Sequence, residues 1–451
     1  MAKGINLETR AQGKDRSGLS FMWRALEHRN YRLFFSGQSL SLIGTWMTRV
    51  ATSWLVYRLT GSALLLGVVG FAGQIPSFLL APIAGVLVDR WDRHKLLVVT
   101  QILAMLQSLA LAILALTGLI TVWEIIALSV FQGLINAFDM PARQAFMVEM
   151  VESREDLPNA IALNSSMVNA ARLLGPSLAG VLIATVGEGW CFMIDAISYL
   201  AVIASLLMMS ITPRMSTTLR GSNILQQLRE GWRYVSGFSP IRNVLLLLGF
   251  VSLVGMPYTV LMPIFANDVL KGGPNTLGLL MASSGVGALL GALFLASRRT
   301  VLGLGKFIPL AAGIFGAGLI AFSFSHVMWL SIVLMLVTGL GFMVQMAVSN
   351  TLLQTITDED KRGRVMSFYT MAFMGTAPFG SLLAGIATAK FGAPKTLVFG
   401  GIGCILGALI FCYSLPDLRR SVKPIYVRLG ILPQIATGVQ QTAEFSVPPE
   451  T

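Results

Sequence analysis

The sequence predicts an all-α membrane protein with twelve transmembrane helices, built as two six-helix bundles in parallel repeat. Three observations carry that prediction. The 451-residue chain is 55% hydrophobic and only 12% charged, about half the charge of an ordinary soluble domain. Its apolar residues gather into runs of about 20, the length that crosses a bilayer as a helix. Its basic residues gather between those runs and mainly on one side, as cytoplasmic loops do.

The runs fall at roughly 33–57, 64–88, 96–118, 122–147, 159–185, 190–211, 242–266, 276–297, 306–325, 328–353, 364–388 and 395–415. They hold Gly, Pro, Ser and Thr freely, which membrane helices tolerate; a barrel would show shorter alternating segments. With the N-terminus inside, the inner segments carry 27 Lys or Arg, and the outer loops carry Arg58, Lys271, Lys390 and Lys395. One span more or fewer would scramble that asymmetry, so both termini are expected in the cytoplasm of a multi-pass plasma (inner) membrane protein. The first thirty residues are polar and basic, so no cleavable signal peptide is expected and the first run serves as an anchor. The formal charge of +12 lies in short clusters between apolar runs, which argues for membrane loops and against a nucleic-acid face. Cys191, Cys404 and Cys412 lie inside apolar stretches, with neither zinc spacing nor a disulfide framework. No cofactor or metal is expected.

The longest connection between runs divides them six and six. Within it Ile224, Leu225, Leu228, Trp232 and Val235 recur at helical spacing, which predicts an amphipathic helix on the cytoplasmic surface. The expected organisation is an N-terminal bundle with its polar tail over 1–212, a linker over 213–241, a C-terminal bundle over 242–416 and a cytoplasmic tail over 417–451. The halves echo each other. Gly175-Pro-Ser-Leu-Ala-Gly180 recurs as Gly380-Ser-Leu-Leu-Ala-Gly385, each mid-run in the second-to-last span of its half, as a duplicated bundle requires. Gly175, Pro176, Gly180, Gly380 and Gly385 read as pliable, closely packed hinge positions, because Pro frees a carbonyl and Gly thins the helix.

After the second run comes Gly85-Val-Leu-Val-Asp89-Arg90-Trp91-Asp92-Arg93-His94-Lys95. It resembles the signature G-x-x-x-D-R-x-x-R-[RK] of the major facilitator superfamily. The stretch from Asn159 through Arg172 to Gly180 is similar to the helix-five antiporter signature of that superfamily. Asp139-Met-Pro141-Ala142-Arg143 and Arg362-Gly-Arg364-Val-Met-Ser367 resemble its enterobactin-exporter-like, transmembrane secretion effector branch. The resemblance covers about residues 22–416. It implies the major facilitator fold and secondary active transport by rocking of the two halves. It also implies a cytoplasmic gate in which Gly85 allows close helix packing and Asp89, Arg90 and Arg93 form an ion-pair latch. Arg93 is expected to reach Asp139 at the inner end of span four. The chain departs from many drug/proton antiporters at two places. Ser129 stands where they carry an arginine on span four, and no acid lies between Leu33 and Tyr57.

Polar stripes mark the expected cavity. Span one carries Gln38, Ser41, Thr45, Arg49 and Ser53. Span four carries Gln132, Asn136, Asp139 and Arg143. Span five carries Ser165, Asn169, Arg172 and Pro176. The C-terminal half offers Tyr258, Met262, Gln345, Met346, Asn350, Met371, Phe373 and Met374, a mostly apolar, adaptable set. A cavity with one positive and one soft apolar wall would suit an amphipathic or anionic solute, such as a siderophore-like metabolite, or a drug. The alternative is that Arg49 and Arg172 stabilise the bundle by pairing with Asp139, Asp195 or backbone carbonyls. A coupling ion is expected, a proton first among candidates, with Glu124, Asp139 and Asp195 the carboxylates inside spans and none assigned as its carrier. The expected protein is therefore a monomeric exporter, with uptake or lipid flipping on the same fold as the alternative. It is not an enzyme, since neither a P-loop nor a catalytic constellation is present.

Overall fold

The computed structural model describes residues 23–151, 153, 155–210, 224–298 and 300–429, apart from the side chains of 82, 86, 89 and 224–228. Every described element is helical. In lipid a backbone must satisfy its own hydrogen bonds, and a chain of long apolar runs does so as helices. The first span is α1 (Arg29–Thr60), and the second is α2 (Ala63–Ala72) followed by α3 (Ile75–Arg90). Spans three to six are α4 (Arg93–Leu116), α5 (Val122–Met150), α6 (Leu157–Thr185) and α7 (Glu188–Leu207). The linker helix is α8 (Ile224–Gly237). Span seven is α9 (Ser239–Val254), α10 (Tyr258–Ile264) and a π turn over Phe265–Val269. Then come α11 (Gly273–Ala296), α12 (Leu304–Ser323) and α13 (Met328–Ile356). Span eleven is α14 (Arg362–Met374) with α15 (Ala377–Phe391), and span twelve is α16 (Ala393–Arg428).

Eleven of these spans are apolar enough to cross a membrane by composition. The remaining one, α1, is 32 residues long and carries four arginines, yet it packs along spans five and six as a full member of the bundle. The helix ends follow local chemistry. Gly61 closes α1 at φ 58° with its N–H on the Tyr57 carbonyl, a backbone region that favours glycine. Ser62 and Asp92 cap α2 and α4 through their side-chain oxygens, and Thr121 and Glu124 form a capping box on α5.

Two boundaries differ from expectation. Span twelve does not stop at residue 416. α16 runs to Arg428, through Pro416 and Pro424, with Leu418, Val422 and Tyr426 buried. An amphipathic continuation against protein needs no further apolar run, so hydropathy could not see it. The linker helix begins at Ile224 as expected, but residues 239–241 already belong to span seven. Val235 is buried while Trp232 is 63% exposed. The rest of the expected linker, residues 213–223, and the tail from 430 lie outside the described residues.

The halves meet along two helix pairs, span five with span eight and the outer part of span two (α2) with α15. At both, glycine faces glycine. A methyl carbon on Gly180 would lie 3.0 Å from the Gly278 Cα, and one on Gly385 would lie 2.9 Å from the Gly67 Cα. Such contact is how backbones approach where no water drives association. The first glycine of each repeat instead packs within its own half. A methyl on Gly175 would strike Trp46 Cβ on span one at 2.4 Å, and one on Gly380 would strike the Leu253 carbonyl on span seven at 2.4 Å. The glycine repeat thus makes equivalent contacts in the two halves. Trp23 and Leu429 share one face of the bundle, here the terminal face; the opposite is the far face. Toward the terminal face α3 and α14 share no packed interface. The halves are therefore packed together at the far face and less so toward the terminal one.

Candidate functional site

Span one winds its polar residues around two sides. Gly37, Gly44 and Thr48 turn toward span six, where a methyl on Gly44 would meet the Asp195 carboxylate at 2.6 Å. Thr45 reaches the Tyr199 hydroxyl at 3.4 Å, and Gln38 is only 2% exposed. So Gln38 and Thr45, expected on the cavity, lie inside the N-terminal half. On a 3.6-residue helix Gln38 and Arg49 are only about 20° apart but eleven residues apart in depth, so the neighbours at each depth, not the turn of the helix, separate them. Arg49 is exposed and Arg172 is half-buried.

Those two arginines share one ring. The Arg49 guanidinium carbon is 4.8 Å from the Trp46 ring centroid and that of Arg172 is 5.1 Å from it. The clustering rests on two one-turn relations and one contact between helices. Trp46 and Arg49 are three residues apart on span one, Arg172 and Gly175 are three apart on span five, and Gly175 gives Trp46 the room to approach. Each cation–π contact is worth ~0.5–2 kcal/mol. Among the described residues no carboxylate lies within 4 Å of either guanidinium. Arg49 feels the charge of Arg172, and Arg172 is within electrostatic reach of Tyr258 across the halves.

The two acids expected as partners are engaged elsewhere. Asp139 pairs with Arg143 one turn along and accepts hydrogen bonds from Thr100 (2.9 Å) and Gln101 (2.7 Å) on span three. Asp195 accepts from Thr48 (2.8 Å) and Ser108 (3.0 Å), and its second oxygen has no partner. They are 4% and 2% exposed. Gln132 donates to Asn136 along its own helix at 3.2 Å, and Asn169 donates to the Ser165 carbonyl at 2.9 Å.

The opposing wall is less polar. The Tyr258 hydroxyl lies 2.7 Å from Ser284 where span seven breaks at Gly255–Pro257. Met374 is 46% exposed and Met346 is partly buried. Gln345 differs from expectation. It is fully buried, and neither its amide nitrogen nor its oxygen has a partner, so it does not line the space between the halves.

One partner in the expected gate differs. Arg93 donates to Glu149 at 2.5 Å and not to Asp139. Glu149 ends span four level with Arg93, whereas Asp139 lies ten residues deeper, about 15 Å along the axis. Nothing lies within 4 Å of a methyl placed on Gly85, so this glycine serves no close packing here. Arg90 is exposed, and Asp89 ends span two with its side chain outside the described residues. At the far face the Tyr57 hydroxyl donates to Asp268 in the π turn. Among the described residues this is the one side-chain hydrogen bond that joins the halves. Sequence reasoning missed it, because nothing in the chain marks residues 211 apart as neighbours. It missed Trp46 too, although the Trp46–Arg49 spacing was a readable signal.

The comparisons agree with this architecture. The transmembrane secretion effector family matches residues 20–424. The staphyloferrin A transporter of Staphylococcus aureus is 26% identical over 87% of this chain and 98% of its own length. The multidrug efflux pump Tap of Mycolicibacterium fortuitum is 26% identical over 84% and 93%. Macrolide efflux protein A of Streptococcus pyogenes is 23% identical over 87% and 98%. In fold the chain is similar to a bacterial homolog of the human lysosomal transporter Spinster in an inward-facing, unoccupied conformation. That match has a TM-score of 0.65 at 13% identity, over 90% of this chain and 99% of the other. The nucleoside transporter NupG gives a TM-score of 0.66 at 11% identity, over 85% and 99%. Family and relatives are transporters rather than enzymes, and the chain belongs to the transmembrane secretion effector family of major facilitator membrane transporters.

Proposed function

We propose that this transporter exports a small amphipathic or anionic metabolite, siderophore-like, or a drug, by alternating access. It would work as a monomer in the plasma (inner) membrane with both termini in the cytoplasm. The observation that carries the reading is the pair Arg49 and Arg172, gathered on Trp46 with no carboxylate within 4 Å among the described residues. A cation at membrane depth is costly and persists where it meets water, a partner or a ligand. The basic loops orient the terminal face to the cytoplasm, so the less packed end would take solute from inside. The far-face glycine crossings and the Tyr57–Asp268 bond support a closed outer side, with release following when the halves rock the other way. The names of the relatives support efflux; those solutes are theirs, not this chain's.

The test is transport with Arg49→Gln and Arg172→Gln. Each should abolish export from a cell overproducing the protein while expression and folding stay intact. Metabolite profiling of the medium of a deletion strain would supply the solute. Undiminished export by both variants would refute the positive wall.

A further inference from the structure

The arginine pair also bears on what drives transport. Building on the transport reading above, we infer that the solute is a polyanion with at least two carboxylate-like groups, and that the membrane potential acting on its charge drives its export. Three observations combine. First, Arg49 and Arg172 approach the same indole ring and repel each other. A site with two unneutralised guanidinium groups is uphill when empty and is satisfied by one ligand that brings two anionic groups, each able to accept a forked pair of N–H bonds.

Second, the three acids the sequence places inside the apolar runs are committed away from this site. Asp139 is held by Arg143, Thr100 and Gln101, and Asp195 by Thr48 and Ser108, both within the N-terminal half. Glu124 caps a helix at the far face. In spans seven to eleven every Asp, Glu, Lys or Arg lies within the first or last four residues, and span twelve carries its charges at Lys395 and from Asp417 to Arg428, toward its two ends. The titratable groups facing Asp195 are Cys191 and Tyr199 on its own helix; span one presents Thr48 and span three presents Ser108, neither titratable near neutrality. A proton exchanged against the solute at the arginine pair has no carboxylate there to sit on.

Third, an anion needs no such exchange. In a cell whose interior is negative, each negative charge carried outward gains roughly 50-fold in concentration ratio per ~100 mV. A dianion therefore gains roughly 2,000-fold. The positive wall would select the charge that the potential then expels.

The experiment uses the full chain in liposomes with radiolabelled citrate as the polyanion probe, and potassium with valinomycin to set the potential. The inference expects trapped citrate to leave at least about tenfold faster when the lumen is negative than when it is positive. A pH step imposed at zero potential should change the rate by less than about twofold. Because the sign of anion movement does not depend on which way the protein inserted, mixed orientation leaves the result readable. Arg49→Lys, which keeps the charge, should keep the potential dependence, while Arg49→Gln and Arg172→Gln should lose both citrate efflux and citrate-induced thermal stabilisation. Citrate efflux driven by the pH step and indifferent to potential would overturn the inference while leaving the transport reading intact. Movement of a cationic dye such as ethidium with no binding or movement of citrate would overturn the polyanion class. If neither probe binds or moves, the polyanion inference is overturned, while the transport reading stands or falls on export of the solute that the medium profiling supplies.

Discussion

At the crossing of spans five and eight Gly180 meets Gly278, and at the crossing of spans two and eleven Gly385 meets Gly67. The N-terminal and C-terminal halves use the same device in the same place. Their interiors nonetheless differ. The N-terminal half buries Asp139, Asp195, Gln101 and Ser108 in hydrogen-bonded groups and gathers two arginines on Trp46. The C-terminal half is filled by rings, with Phe315 against Tyr258 and Phe342 and with Phe342 against Phe373. The contrast teaches that the scaffold and the chemistry are separable. Glycines set where the helices cross, and one half alone carries the charge.

The largest effect should come from breaking the shared scaffold. Gly67→Leu or Gly180→Leu forces a side chain into a facing backbone, and overpacking of that kind costs ~1–3 kcal/mol or more. Transport should be lost and the melting temperature of the purified protein should fall. Gly85→Ala, which meets nothing within 4 Å, should leave both unchanged. An intact Gly67→Leu transporter would separate the crossings from function.

Next come the walls. Arg172→Gln should lower transport about 100-fold, the scale of a charged contact worth ~3 kcal/mol, with little change in thermal stability. Gln345→Leu removes a buried amide that has no partner, so it should be neutral or raise stability by ~1 kcal/mol. Its transport should stay within about threefold of the parent chain. Equal losses in both variants would erase the contrast between the halves.

A smaller effect is expected at the far face. Tyr57→Phe deletes the hydrogen bond to Asp268, worth ~0.5–1.5 kcal/mol, a shift of roughly two- to tenfold toward the state open at that face. Labelling of a cysteine introduced at Val260 or Ser381, which line the neighbouring crossing, should accelerate by that factor. Smallest of all is the terminal-face pair. Arg93 and Glu149 are each about one-sixth exposed, and a double-mutant cycle on thermal stability should give a coupling of ~1 kcal/mol. A coupling of similar size between Arg93 and Asp139 would restore the gate expected from the resemblance.

The fold was legible because a bilayer imposes a length, an apolar composition and a side-specific distribution of charge, and each of these is a property of the linear chain. Eleven of the twelve spans lie within a few residues of the apolar runs, span twelve alone running on to Arg428, and even the equivalence of Gly175–Gly180 with Gly380–Gly385 could be read as a spacing. Side-chain partners were decided only in three dimensions. Asp139 stands near Arg93 in the pattern of spans but takes Arg143 and span three, since axial depth, not sequence proximity, sets which charges meet. Gln38 and Thr45 share a stripe with Arg49, yet Gln38 is buried and Thr45 reaches Tyr199 on span six, because the neighbours differ at each depth of the bundle. Trp46 receives both arginines because Gly175, 129 residues further along the chain, leaves space for its side chain, and only the packing of span five on span one could disclose that.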